Sequence, residues 1–270
     1  TKRIVNHVDT YMRATQFGFR EQQGCADALL ALRVILERVA KASEFDVTLL
    51  FLDWKKAFDS VAREAAESAL ECWGIPPNLR ALVHKMLESE FAVIGQDNQR
   101  SQTFTQEEGL RTGGPLSTIL FLIVLGWVLE GVDQKEKTLF PEEMIELEKV
   151  RLIIRDIIYA DDTTLIGTSA ELIQHRLAAL EILAAPVGLN VNYIKSKQMI
   201  GTVNIKATRG ESRHGPNKVI SAPPLRFQDG QKVGVESSQE LLGSVITRSL
   251  KIREEIKRRA KLGRDRIKEI

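Results

Sequence analysis

A strand-length run, Val47-Thr48-Leu49-Leu50-Phe51-Leu52, closes directly on a carboxylate, Asp53. It lacks the apolar–polar alternation of a half-buried strand, so both of its faces must be covered and it belongs in the middle of a sheet. A chain built round such a strand needs further strands beside it and helices over it. Asp53 then falls where the buried strand emerges into solvent, a common place for a metal-binding carboxylate.

A second apolar segment supplies the partner strands. Leu152-Ile153-Ile154 and Ile157-Ile158 precede Tyr159-Ala160-Asp161-Asp162, and Leu165-Ile166 follows. Short branched runs on either side of a polar Asp161-Asp162-Thr163 read as a hairpin. Two adjacent carboxylates at a turn repel each other. A hard divalent cation, which takes oxygen ligands and brings substrate phosphates with it, would relieve that repulsion. Taken alone, an Asp-Asp pair is more often a solvated acidic turn.

Composition narrows the class without naming a function. With 270 residues the chain can bury one large core or two smaller ones, and 43% apolar with 27% charged residues describes an ordinary globular protein. Cys25 and Cys72 form neither a disulfide framework nor a zinc spacing, which points to a reducing intracellular compartment, nuclear or cytoplasmic. His7, His84, His175 and His214 are scattered and form no ligand cluster. The chain opens on Thr1 rather than Met, as an excised domain would. The charge-free stretch from Gly113 to Leu129 follows a Gly-Gly-Pro start and reads as a buried core helix, so no membrane partner is expected. Residues 1–190 carry 20 Lys and Arg against 28 Asp and Glu, whereas residues 191–270 carry 18 against 8. That asymmetry suits a polyanion partner for the last third, although a solvated basic helix would have the same composition.

Along the rest of the chain, residues 1–45 read as mainly helical, with an apolar face from Leu29 to Val39. Gln16-Phe17-Gly18-Phe19-Arg20 is either a packed loop or an arginine aimed at phosphate or template. Helices follow from about Ser60 to Cys72 and through Leu79 to Leu87; a polar hairpin covers 91–108. The glycine-rich turn Gly109 to Ser117 opens an apolar helix over 116–130 and presents free backbone N–H groups. Residues 133–150 read as a solvated insertion, Thr168 to Glu171 as a capping box, and 203–230 as a long loop. Leu241 to Ile246 reads as a last strand, and Lys251 to Ile270 as a basic helix.

Together these blocks resemble the reverse transcriptase domain of non-LTR (LINE-type) retrotransposons. The resemblance runs from Phe17 to Arg20 through Leu52-Asp53-Trp54-Lys55-Lys56-Ala57-Phe58-Asp59. It continues through Gly109 to Ser117, Tyr159 to Asp162, Gly188 to Lys197 and Leu242-Gly243-Ser244 to Glu255-Ile256-Lys257-Arg258-Arg259.

What the resemblance implies is an α+β fold, a right-hand polymerase palm of antiparallel sheet backed by helices. Residues 1–45 would be partial fingers, 46–240 palm with insertions, and 241–270 the primer-grip region with the first thumb helix. It implies an RNA-directed DNA polymerase with two Mg²⁺ ions, or Mn²⁺, held by Asp53, Asp161 and Asp162 with help from the Trp54 carbonyl. Lys195 would assist at the triphosphate, although a solvated loop lysine is the other reading. Arg20, Trp54, Phe58, Thr112 and Gly113 would meet the nucleotide, with Phe58 beneath its sugar. Tyr159, Ala160, Leu242 and Gly243 would meet the primer. RNA template, DNA primer, dNTPs and further domains of a polyprotein are the implied partners. A departure is Arg111-Thr112-Gly113-Gly114, where the family has Arg-Gln-Gly. A catalytically silent module that binds RNA is the alternative, and an RNA-directed RNA polymerase fits Phe58 and the Tyr159–Asp162 turn less well.

Overall fold

In the computed structural model, the residues described are 1–42, 47–88, 92, 94, 100–103, 108–111, 114–139, 155–201, 223–247 and 255–261. They fall into two compact units. The first joins Thr1–Ala14, Trp54–Gln134 and Leu180–Asn190; the second joins Thr15–Asp53, Lys135–Ala179 and Val191–Ile270.

The second unit is built on the predicted central strand. β1 (Val47–Leu52) is buried at all six positions and lies between β3 (Asp162–Gly167) and β4 (Lys197–Gly201), antiparallel to both. β2 (Asp156–Tyr159) forms the hairpin with β3, and β5 (Gly234–Val235) pairs parallel with β4. The sheet order is thus β2-β3-β1-β4-β5. Helix α2 (Cys25–Ala42) covers one face, where its Ala28, Leu32, Ile35 and Leu36 pack with Val47, Leu49 and Phe51 of β1. Each such fully buried Leu or Ile contributes roughly 2 kcal/mol of transfer free energy. This is the expected α+β palm: a mainly antiparallel sheet backed by helix.

The first unit is helical: α1 (Lys2–Val8), α3 (Arg63–Cys72), α4 (Pro77–Leu87) and most of α5 (Pro115–Leu139). α5 is long and apolar enough to cross a membrane by length and composition. Its Leu120, Phe121, Ile123, Val124 and Leu129 are nevertheless 0% exposed, as a core helix requires. Gly188 ends the 3₁₀ turn Ala185–Val187 at φ +85, and a Cβ there would lie 1.8 Å from the Ser60 carbonyl oxygen, so only glycine fits.

Several expectations change. α5 runs past residue 130 to Leu139, and Glu136, read as part of a solvated insertion, is buried. The stretch 241–246 is not one strand but parts of a hairpin, β6 (Ser238–Leu241) and β7 (Ser244–Thr247), with Leu242-Gly243 as its tip. Residues 192–196 fold into a loop that leads into β4 at Lys197. β3 begins at Asp162, so the tip of the central hairpin is Ala160-Asp161. Thr112 and Gly113, most of the 91–108 hairpin, residues 140–154, 202–222 and 251–254 lie outside the described residues.

Candidate active site

The β1–β3 register decides which carboxylates meet. It pairs Leu52 with Thr163, so Asp53 and Asp162 come one step further along the same ladder. Both line a cavity of about 410 Å³ in the second unit, together with Thr164, Lys195, Lys197 and Glu240. Lys195 Nζ stands 3.7 Å from Asp53 Oδ1. Its side chain is largely exposed, so the ion pair contributes little to stability.

Burial pushes the Asp162 carboxyl above its ordinary range, and the negative charges of Asp161 and Asp53 push it in the same direction. The three carboxylates therefore sense one another electrostatically. Among the described residues no group of three or more His, Cys, Asp or Glu side chains is placed to hold a metal ion. Asp53 and Asp162 line the cavity, and Asp161 and Asp162 are both exposed at the hairpin.

The sign of the Asp162 shift gives a first prediction. A carboxyl whose folded pKa is raised is less favourable ionised in the fold than in the unfolded chain. Its destabilising contribution grows as pH rises through 3.8 and is full above the folded pKa. Asp162→Asn is expected to raise the melting temperature at pH 7 by about 2 °C. The gain should vanish when melting is repeated below the ordinary value of 3.8. Equal melting at pH 7 would contradict this account of the raised carboxyl.

The hairpin tip is held from behind. Ala160 is buried and left-handed at φ +58, a strained setting for a residue with a Cβ. Thr15 and Phe17 bond to Ile158 along the β2 edge: Ile158 N–H donates to Thr15 O at 2.9 Å and Phe17 N–H to Ile158 O at 2.8 Å. A Cβ on Gly18 would come within 2.4 Å of Ala160 N. Gln16 and Gly18 are buried here, Arg20 Nη1 donates to the Gln16 carbonyl at 3.4 Å, and Arg20 is not among the residues that line the cavity. The Tyr159 hydroxyl is tied to the Cys25 thiol, which together with burial pushes its pKa up.

Leu242 (φ +50) and Gly243 (φ +74) form the β6–β7 tip, and Leu242 tolerates its strained backbone while packing on the α2–sheet core. Trp54 is buried in the first unit, where the half-buried Phe58 ring stacks on Phe121 at 4.8 Å.

Two residues that sequence reasoning passed over engage Asp53 directly. Asn192 Nδ2 donates to Asp53 Oδ2 at 2.9 Å, and Asp53 N–H donates to the buried Ser196 Oγ at 3.2 Å. The signal available was an Asn three residues before Lys195, a spacing at which its side chain can accept the later backbone N–H.

Comparison with known proteins bears on this geometry. The chain matches the family described as Reverse transcriptase (RNA-dependent DNA polymerase) over residues 1–243. The protein belongs to the reverse transcriptase family. This reverse transcriptase is 28% identical over 177 residues to the Retrovirus-related Pol polyprotein from type-2 retrotransposable element R2DM of Drosophila melanogaster. It is 25% identical over 169 residues to the corresponding polyprotein from type-1 retrotransposable element R2 of Nasonia vitripennis. These segments cover 66% and 62% of this chain but only 16% of each relative. The resemblance to a non-LTR retrotransposon reverse transcriptase domain is therefore borne out.

Among solved structures, apo telomerase from Candida tropicalis truncated from its C-terminal domain superposes with a TM-score of 0.54 at 11% identity, covering 92% of this chain and 43% of that one. Telomerase from Candida albicans, in complex with a fragment of telomeric RNA, gives 0.56 at 11% identity over 92% of this chain and 37% of that one. At these identities the likeness is one of fold, and it agrees with the palm described above.

Proposed function

We propose that this reverse transcriptase domain is an RNA-directed DNA polymerase that extends a primer 3′ end with deoxynucleotides. The observation that carries the reading is the β1–β3 register, which brings Asp53 and Asp162 to one cavity beside Lys195 and Lys197. The donor set fits hard divalent cations: Asp53, Asp162 and, from the hairpin tip, Asp161 offer only carboxylate oxygens. These residues, with the Trp54 carbonyl, would hold Mg²⁺ or Mn²⁺, which when bound activates the primer hydroxyl and stabilises the leaving pyrophosphate.

The protein's own part is positioning and charge. Lys195 presents a cation at the cavity, where its Nζ can assist the departing group. Tyr159 and Ala160 lie beneath the primer end, and Leu242-Gly243 grips the primer. Arg20, Thr112 and Gly113 belong to the nucleotide and template side. The reading includes an intracellular setting and neighbouring domains of a longer polyprotein. A silent RNA-binding module is the competing reading, supported by Thr112 in place of the family's glutamine.

Primer extension on an RNA template with dNTPs and Mg²⁺ separates the two. Full-length complementary DNA supports the polymerase; tight RNA binding without any extended primer supports the silent module. In an active preparation Phe58 tests the choice of sugar. An aromatic ring beneath the sugar excludes a 2′-hydroxyl and offers it no hydrogen-bond partner. Phe58→Val is expected to reduce discrimination against ribonucleotides by about tenfold or more. An equal loss of both substrates would show that the stack on Phe121 is the ring's whole role.

A further inference from the structure

Asp53 is enclosed by a single loop. Its N–H donates to Ser196 Oγ at 3.2 Å, and its carbonyl accepts from Asn192 N–H at 2.7 Å. Its Oδ2 accepts from Asn192 Nδ2 at 2.9 Å, and Lys195 Nζ stands 3.7 Å from its Oδ1. Backbone and side-chain polar atoms of Asp53 alike meet residues 192–196.

Asn192 is central to this arrangement because both ends of its amide are used. While Nδ2 donates to Asp53, Oδ1 accepts from the Lys195 N–H at 3.4 Å, and the Asn192 carbonyl accepts from Ser196 N–H at 2.9 Å. One side chain thereby sets the orientation of the Asp53 carboxylate and the start of the Lys195 side chain. The loop is also fastened on its other side. Tyr193 stacks on Phe227 with centroids 4.0 Å apart and planes 13° from parallel. Phe227 is 3% exposed, and its turn is closed by Phe227 N–H to Gln231 O at 2.9 Å and Val233 N–H to Leu225 O at 2.8 Å.

We infer that Asn192 is a positioning residue for Asp53, holding its carboxylate by Oδ2 so that Oδ1 is presented to a divalent cation. The inference rests on the polymerase reading only for the use to which that cation is put. A neutral amide suits the task better than a second cation would. It fixes the carboxylate rotamer through one oxygen and leaves the negative charge in place, whereas an Arg or Lys there would neutralise it. Residues that orient a ligand in this way typically account for about 10–100-fold in metal affinity.

The test reads metal binding in the absence of nucleotide and primer. Mn²⁺ is titrated into the 270-residue chain and followed by electron paramagnetic resonance, with thermal melting recorded in parallel. Asn192→Ala and the near-isosteric Asn192→Leu are each expected to weaken Mn²⁺ binding by about tenfold. Melting should shift by no more than about 3 °C, since the contact lies in a partly exposed loop. In an Asp53→Ala background, adding Asn192→Ala should weaken binding no further, because the effect passes through Asp53. Unchanged Mn²⁺ affinity in both single variants, a further loss in the Asp53→Ala background, or no Mn²⁺ binding by the unmutated chain would each overturn the inference. Primer extension by the unmutated chain is run alongside. No extension together with Asn192-dependent Mn²⁺ binding would sink the polymerase reading and keep this one; the reverse pattern would sink this one alone.

Discussion

Asp53→Asn and Asp161→Asn are each expected to lower primer extension on an RNA template by about a thousandfold or more, on the scale of 1.36 kcal/mol per tenfold in rate. Each substitution removes a negative charge with almost no change in shape. The cations of a two-metal site contribute several kcal/mol of transition-state charge stabilisation, so a lost anionic ligand is felt mainly in the rate. Folding should be insensitive. Asp161 is exposed at the hairpin tip, and Asp53→Asn keeps the backbone bonds to Asn192 and Ser196 and an Oδ that can still accept from Asn192 Nδ2. Melting temperature and template–primer affinity measured beside the rate should therefore hold. Extension within tenfold of the unmutated rate at saturating Mg²⁺ would remove both residues from the chemistry.

The second large effect concerns stability and a buried ionic cluster behind the hairpin. Arg176 lies with its Nε 3.0 Å from Glu136 Oε2 and its Nη2 3.7 Å from Asp156 Oδ2. The three side chains are 1%, 3% and 0% exposed. Arg155 adds a second cation 3.7 Å from Glu136, so cations and anions balance within the cluster. Arg176 Nη1 also donates to the Arg155 carbonyl at 2.7 Å, and Thr15 Oγ1 donates to Asp156 Oδ1 at 2.5 Å. Arg176→Met would leave two buried carboxylates facing one partly exposed arginine. Breaking a buried pair from one side typically costs about 3–5 kcal/mol, and that loss is expected in the denaturation midpoint. Replacing Arg176, Glu136 and Asp156 together by apolar residues should cost less, because the one cluster charge that remains, on Arg155, is partly exposed. A single-variant loss below about 1 kcal/mol would show that water reaches the cluster.

The contrast between these sites explains what the sequence could and could not disclose. β1 was legible because Val47 to Leu52 carries its own evidence of burial, and the β2–β3 hairpin because two branched runs flank a short polar turn. The carboxylates were legible as types at the ends of those strands. That they lie on adjacent strands follows from the same runs and is met by the β1–β3 pairing, whereas which oxygen each presents was not legible. Asn192 and Ser196 act on a residue 139 and 143 positions away, and a side-chain hydrogen bond over that distance leaves no periodicity in the sequence. Glu136 sits in a charged run and reads as solvated until Arg176, on a different helix, is brought beside it. The β6–β7 hairpin escaped because Leu242-Gly243 lacks the Asn-Gly or Asp-Gly signature of a turn with two left-handed residues.

Gly18 gives the fold an uneven tolerance to change. Nothing larger than a hydrogen fits between it and Ala160, so the tip of the β2–β3 hairpin rests directly on a segment more than a hundred residues earlier in the chain. One position later Phe19 is exposed but left-handed at φ +58, so there the backbone and not side-chain room limits the choice. Neighbouring codons in this loop are therefore constrained for different reasons. A drifting lineage would lose the seat of this hairpin tip through a single added methyl group at position 18.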